Sequence, residues 1–305
     1  MHNNLGYTKP LFILAFDHRS SFIKNMLGSE NKELNQDESE KIIKLKQMIY
    51  EGFKQAVLNG LPKEQAAILV DEQFGDNILH TAKSNGFITA LTCEKSGQEE
   101  FDFEYGSEFS SHIEKYKPVF VKVLVRFNPE ANPKLNIRQL EKLKILNDYC
   151  HNNSYKFLVE TLLPPTKSQM NNVGQDKTRY DQEIRPGLVI KMIAEFQNNR
   201  IEPDIWKIEG MADSENYRKV VNQARNNGRD NVGMVILGRG EDAKQVERWL
   251  AAAKDINGVV GFAIGRTIFM EPLINYNNDK INREQAIGEI AKNYMHFYNI
   301  FTKNL

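Results

Sequence analysis

Asp204-Ile205-Trp206-Lys207-Ile208-Glu209-Gly210 is a short apolar run with a lysine in its middle. Side chains alternate faces along a strand, so Ile205, Lys207 and Glu209 share one side while Trp206 and Ile208 share the other. One face therefore carries charge within an apolar context. Burial beside apolar walls or other cations disfavours an ammonium, and a lysine with a depressed pKa is what Schiff-base chemistry requires. At its ordinary pKa only about one lysine in two thousand is a free amine at neutral pH. The plainer reading is a strand-end lysine paired with Glu209 for structural reasons, and this stretch alone favours it.

Outward from this stretch the same design recurs. Leu11 to Phe16 is a continuous apolar run ending in Asp17, and Ala66 to Val70 is another ending in Asp71. Phe87 to Thr92 runs into Cys93 and Glu94, Val119 to Val125 ends in Arg126, and Lys156 to Val159 ends in Glu160. After the Lys207 stretch, Val232 to Leu237 runs into Gly238-Arg239-Gly240, and Val259 to Ile264 into Gly265-Arg266-Thr267. Continuous apolar runs suit strands covered on both faces, as in parallel sheets. Between them, helical spacing predicts helices over about 38–58, 76–83, 137–149, 187–196, 214–226, 242–253 and 283–301. The polar stretch from Thr166 to Asp181 is expected to be an irregular insertion or mobile loop. Eight strand–helix alternations without a linker predict an α/β protein with a single (β/α)8 TIM barrel spanning 1–305.

The bulk composition removes several functional classes. Forty Lys and Arg balance forty Asp and Glu in 305 residues, leaving no global field to attract nucleic acid or an anionic membrane. Met1 to Pro10 is polar and no run approaches the ~18 apolar residues of a membrane span, so a cytoplasmic location is expected. Cys93 and Cys150 are the two cysteines, too few for a disulfide framework, and each reads as an inert buried thiol. His2, His18, His80, His112, His151 and His296 are scattered without zinc-ligand spacing, and most read as surface or loop residues. No metal and no cofactor is implied.

In a barrel of this kind the working face lies at the C-terminal strand ends, which here carry Asp17, Asp71, Glu94, Arg126, Glu160, Lys207, Glu209 and Arg266. Each alone could be half of a solvated surface pair. Lys122 is mid-strand on the barrel-facing side, within reach of the same pocket as Lys207. Two neighbouring ammonium groups repel, and the pair is expected to favour a neutral nucleophile. The turns at Gly238 and at Gly265-Arg266 follow strands seven and eight, where barrels often hold phosphate on backbone N–H groups and an arginine. A Gly-Arg dipeptide by itself is more often an ordinary turn, and only its topological place raises it.

Several stretches together resemble the strand-end motifs of class I tagatose-bisphosphate aldolases: Leu14-Ala15-Phe16-Asp17-His18-Arg19, Leu69-Val70-Asp71-Glu72-Gln73-Phe74-Gly75, Cys93-Glu94-Lys95-Ser96-Gly97, Trp206-Lys207-Ile208-Glu209 and Gly265-Arg266-Thr267. Through Phe16-Asp17-His18-Arg19, Lys122 to Pro129 and Gly265 to Phe269, the chain is more similar to the aldolase-like domain (DUF2090) associated with 5-dehydro-2-deoxygluconokinase in inositol catabolism. The resemblance runs from about residue 11 to 275. It implies that Lys207 forms a Schiff base, that Lys122 and Glu160 are the pocket lysine and the acid/base glutamate, and that Asp17 is the strand-one carboxylate. It also implies that Arg266 binds phosphate. The strand-two motif departs from the tagatose group, with Asp71-Glu72-Gln73 where a proline is usual near the aspartate. No kinase segment is present, which implies the free-standing form.

The resemblance implies a metal-independent class I aldolase acting on a phosphorylated keto sugar or keto-sugar acid, 2-deoxy-5-keto-gluconate 6-phosphate being one candidate, with dihydroxyacetone phosphate and an aldehyde as products. The catalytic set is Lys207, Glu160, Lys122 and Asp17, with Arg266, Gly265, Gly238, Arg126, Asp71 and Glu209 around the substrate. A sugar-phosphate isomerase or epimerase, and a non-catalytic sugar-phosphate-binding barrel, are the alternatives. Phe297, Tyr298 and Phe301 either bury against a second copy in a homo-oligomer or dock on the barrel.

Overall fold

The computed structural model describes residues 5–28 and 33–302. His2 and the first four residues of the polar N-terminal segment lie outside them. Eight parallel strands close into a barrel in chain order: β1 Leu11–Ala15, β2 Ala66–Val70, β3 Ile88–Thr92, β4 Phe120–Arg126, β5 Lys156–Leu162, β6 Ile205–Glu209, β7 Gly233–Leu237 and β8 Val259–Ile264. Alternation sorts each strand. Leu11, Ile13 and Ala15 of β1, Leu158 of β5 and Ile205 of β6 fill the barrel, while Phe12, Leu14, Val159, Trp206 and Ile208 face the surrounding helices. At the bottom, Asp204 fastens the closure: Oδ1 accepts from the Gly6 N–H at 2.7 Å and Oδ2 from the Phe157 N–H at 2.8 Å.

The surrounding helices are α1 Ser20–Leu27, α2 Gln36–Leu58, α3 Glu72–Ser84, α4 Phe109–Tyr116, α5 Pro133–Asn152, α6 Lys167–Asn172, α7 Lys177–Arg179, α8 Arg185–Asn198, α9 Ser214–Ala224, α10 Ala243–Ala253, α11 Arg266–Asn277 and α12 Arg283–Thr302. Several begin on side-chain caps that satisfy their first N–H groups, among them Asn35 with Glu38 as a capping box, Asp71, Asn132 and Asp242. Among the described residues no helix is long and apolar enough to cross a membrane.

Three helices lie where no helical spacing is apparent in the sequence. α1 and α4 are only eight residues each. α11 contains Pro272, which cannot donate to the carbonyl four residues back. That carbonyl, of Ile268, instead accepts from Asn293 Nδ2 on α12 at 2.9 Å. The expected irregular stretch from Thr166 to Asp181 is in fact a string of helical turns. Thr166 and Gln169 form a capping box, Asp176 caps α7, and a π-helical turn at Tyr180–Ile184 leads into α8. Tyr180 is buried and donates its hydroxyl to the Leu163 carbonyl at 2.8 Å, fixing this segment to the end of β5. Phe297, Tyr298 and Phe301 dock on the barrel; Tyr298 and Phe301 both pack edge-on against Phe12, with ring centroids 5.0 and 5.7 Å apart.

Candidate active site

Strand register brings the charged residues together. Glu160 on β5 stands opposite Lys207 on β6, and Leu124 on β4 stands opposite Glu160. Glu160, Lys207 and Lys122 follow the inward-facing Leu158, Ile205 and Phe120 by two positions, so their side chains enter the barrel. Glu160 Oε2 lies 2.8 Å from Lys207 Nζ and 3.1 Å from Lys122 Nζ. One carboxylate oxygen thus bridges two ammonium groups, each only 2% exposed.

Lys122 is enclosed by acid. Its Nζ is 2.6 Å from Asp17 Oδ2 and 2.5 Å from Glu94 Oε1, in addition to Glu160. Thr92 Oγ1 donates to the other Glu94 oxygen at 2.5 Å. Burial opposes the charge on Lys122, but the Asp17, Glu94 and Glu160 carboxylates overcome it and raise its pKa well above the ordinary lysine value. The expectation that a neighbouring ammonium lowers the pKa of Lys122 is therefore overturned: three anions outweigh one neighbouring cation. Burial raises Glu160, yet the Lys207 and Lys122 ammonium groups more than offset this and hold it below the usual glutamate range. Asp17 is likewise held low, against burial, chiefly by Lys122.

Two adjoining cavities open above these residues. The larger, about 440 Å³, is lined by Asp17, Glu94, Lys122, Ser20 and Ser96. The smaller, about 260 Å³, is lined by Lys207, Gly238, Arg239, Gly240, Gly265 and Arg266. His18, Ser21, Leu124, Arg126 and Glu160 line both. The smaller one has the makings of an anion cradle, with bare glycine backbone, three guanidinium groups and the start of α11. Arg266 Nη2 donates to the Arg239 carbonyl at 2.8 Å, which ties the two turns together. Gly265 is required by close approach, since a Cβ there would stand 2.1 Å from the Ala15 carbonyl oxygen.

The candidate residues divide by place. Lys207, Glu160, Lys122, Asp17, Arg126, Arg266, Gly265 and Gly238 all reach the cavity walls. Arg126 Nη1 donates to the Gln98 carbonyl at 2.5 Å. Asp71 does not reach them. It is fully buried, 2.5 Å from Lys46 Nζ of α2, and accepts from the Phe74 N–H at the start of α3. Burial raises the Asp71 pKa and lowers that of Lys46. Glu209 stands behind the wall, accepting from the Leu163 N–H at 3.1 Å and sitting 3.2 Å from Arg239 Nε. It positions Arg239, whose Nη1 also meets Asp181 at 2.8 Å.

Sequence reasoning placed Glu94 among the working-face strand ends without giving it a role, and did not single out His18 or Arg239 as site residues. Arg239 had a signal in its place between two glycines after β7, and Glu94 in its strand-end position. His18 had only its neighbour Asp17. Both cysteines are buried, and burial pushes both thiols up.

A family model described as an uncharacterised protein conserved in bacteria, DUF2090, matches residues 3–305. No curated protein matches the chain in sequence. Among solved structures, the chain is similar to the Corynebacterium glutamicum protein Cgl0159, at 15% identity and TM-score 0.59, over 96% of this chain and 88% of that one. It is similar to an archaeal fructose 1,6-bisphosphate aldolase at 14% identity and TM-score 0.56, over 96% and 94% of the two chains. A fructose-bisphosphate aldolase from Slackia heliotrinireducens matches at 13% identity and TM-score 0.56, over 93% and 86%. At these identities the likeness is one of fold.

Proposed function

The chain belongs to the DUF2090 family, and we propose that it is a class I aldolase cleaving a phosphorylated keto sugar or keto-sugar acid. The single observation that carries this reading is Lys207 Nζ, buried, 2.8 Å from Glu160 and on the wall of the glycine–arginine cradle. Lys207 lines the same cavity of about 260 Å³ as Gly238, Gly265 and Arg266, which suits a ketone close to a phosphate-bearing carbon, as in dihydroxyacetone phosphate. The larger cavity then takes the half that leaves as an aldehyde. Two proteins of the same fold are fructose-bisphosphate aldolases, which agrees with this reading.

In this mechanism Glu160 takes the ammonium proton of Lys207, and the free amine adds to the ketone. Glu160 returns the proton as water leaves the carbinolamine, giving an iminium that accepts the electron pair when the carbon–carbon bond breaks. Lys122, held charged, polarises a substrate oxygen, and Asp17 orients a hydroxyl. The favoured substrate is 2-deoxy-5-keto-gluconate 6-phosphate, whose ketone stands next to its phosphate-bearing carbon, and this would place the protein in inositol catabolism. The test is release of dihydroxyacetone phosphate from this compound and from ketose bisphosphates. Lys207→Ala is expected to abolish release while circular dichroism stays unchanged; full activity in that variant would remove the mechanism.

A further inference from the structure

His18 follows β1 directly and forms part of the wall of both cavities. Its Nδ1 is buried without a hydrogen-bond partner and faces Asp17 Oδ1 at 3.8 Å. Asp17 is itself fixed, its other oxygen accepting from Lys122 Nζ at 2.6 Å. The Asp17 charge beside Nδ1 favours the neutral tautomer protonated there, with Nε2 as the acceptor. The ring lies against the bare turn before α11, with Cε1 3.3 Å from the point a Cβ on Gly265 would occupy. Burial, with Arg266 and Lys207 adding to it and Asp17 opposing, pushes the His18 pKa down to about 4. At neutral pH it is an uncharged base.

Glu160 is poorly placed to do all the proton transfers. Its Oε2 already meets both ammonium groups, and it touches the nitrogen of the future imine rather than the substrate carbons beyond it. With the phosphate arm in the cradle, the reacting carbon points from Lys207 toward the larger cavity. His18 and Glu160 both stand where the two cavities meet, but Glu160 is engaged by the two lysines whereas His18 Nδ1 has no hydrogen-bond partner.

We infer that His18 is a further catalytic residue, the base that takes the hydroxyl proton in bond cleavage and then delivers it to the carbon that was cleaved. This rests on the aldolase reading. In cleavage the O–H bond breaks and its proton passes to Nε2. The oxygen forms the aldehyde C=O, and the electron pair of the broken C–C bond enters the iminium to give an enamine. After the aldehyde leaves, the imidazolium returns the same proton to the enamine carbon and the iminium is restored. With dihydroxyacetone phosphate alone, the same base removes and replaces a proton on the hydroxymethyl carbon, so that carbon exchanges hydrogen with solvent.

The experiment compares the wild-type protein with His18→Gln, whose amide fills similar space but cannot shuttle a proton. Two readouts are taken with dihydroxyacetone phosphate: borohydride trapping on Lys207 with peptide mass spectrometry, and deuterium exchange at the hydroxymethyl carbon followed by proton NMR. The expected result is an undiminished adduct in His18→Gln with exchange slowed about 10²- to 10⁴-fold. Exchange at the wild-type rate in His18→Gln overturns the inference. So does loss of the adduct in that variant, which would make His18 part of the scaffold of the site, and so does a wild-type protein that forms the adduct without exchange. A wild-type protein that forms no adduct overturns the aldolase reading itself, which separates the two failures.

Discussion

Glu160 Oε2 approaches Lys207 Nζ at 2.8 Å, and of the carboxylates in the site it is the only one, among the described residues, within ion-pair distance of that lysine. Lys122, by contrast, meets Asp17, Glu94 and Glu160 together. The two lysines are therefore not interchangeable. One is locked as a cation by three anions; the other has a single partner that can take its proton and return it.

Glu160→Gln removes that partner while keeping the shape of the side chain. Formation of the borohydride-trapped adduct on Lys207 should slow by about 10²- to 10⁴-fold, the range usual for loss of a positioned acid/base group. Timed quenching with borohydride measures it. An unchanged rate would assign the imine-forming proton transfers elsewhere.

Lys122→Met leaves Asp17 and Glu94 buried without the cation they share, and leaves Glu160 with Lys207 alone. Removing one partner of a buried ion pair costs about 3–5 kcal/mol, and urea denaturation at pH 7 should show a loss of that order. The deficit should shrink toward pH 4, as the stranded carboxylates take up protons.

The fully buried pair of Lys46 and Asp71 is structural in this account. Lys46→Met should destabilise by about 3–5 kcal/mol, because it strands a buried carboxylate. Adding Asp71→Asn should recover part of the loss, since asparagine keeps the cap on α3 without the charge. Neither change should prevent adduct formation on Lys207.

Acid should weaken the fold in two stages. The His18 pKa is about 4 in the folded protein and about 6.5 in an unfolded chain, so between these values the unfolded state binds more protons. Stability therefore falls as pH drops through that window. Asp17 and Glu160 are held low when folded, so their contribution is present above the ordinary carboxylate range and is lost only as pH falls below it. In His18→Gln the first stage should flatten while the second remains, as read from urea midpoints between pH 7 and pH 3.

The barrel was legible because each strand is a continuous apolar run, and a parallel strand covered on both faces has no other way to be written. Lys207, Glu160 and Lys122 stood out for the same reason, as charges where the pattern tolerates none. What was hidden depends on partners distant in sequence. Asp71 ends its strand like the others, but nothing local shows that Lys46 of α2 has already claimed it. α11 was obscured by Pro272, whose cost is offset by Asn293 on another helix. His18 stood inside the Asp17-His18-Arg19 motif without a role of its own, because its importance lies in where two cavities join, and a single histidine has no periodicity.

The measurement that most directly tests the central claim is borohydride reduction of the protein mixed with dihydroxyacetone phosphate, followed by peptide mass spectrometry to find which lysine is modified. An adduct is expected on the peptide containing Lys207 and none on that containing Lys122. An adduct on Lys122, or no adduct while the ligand demonstrably binds, would contradict it and favour the proton-transfer or binding-only reading of this barrel.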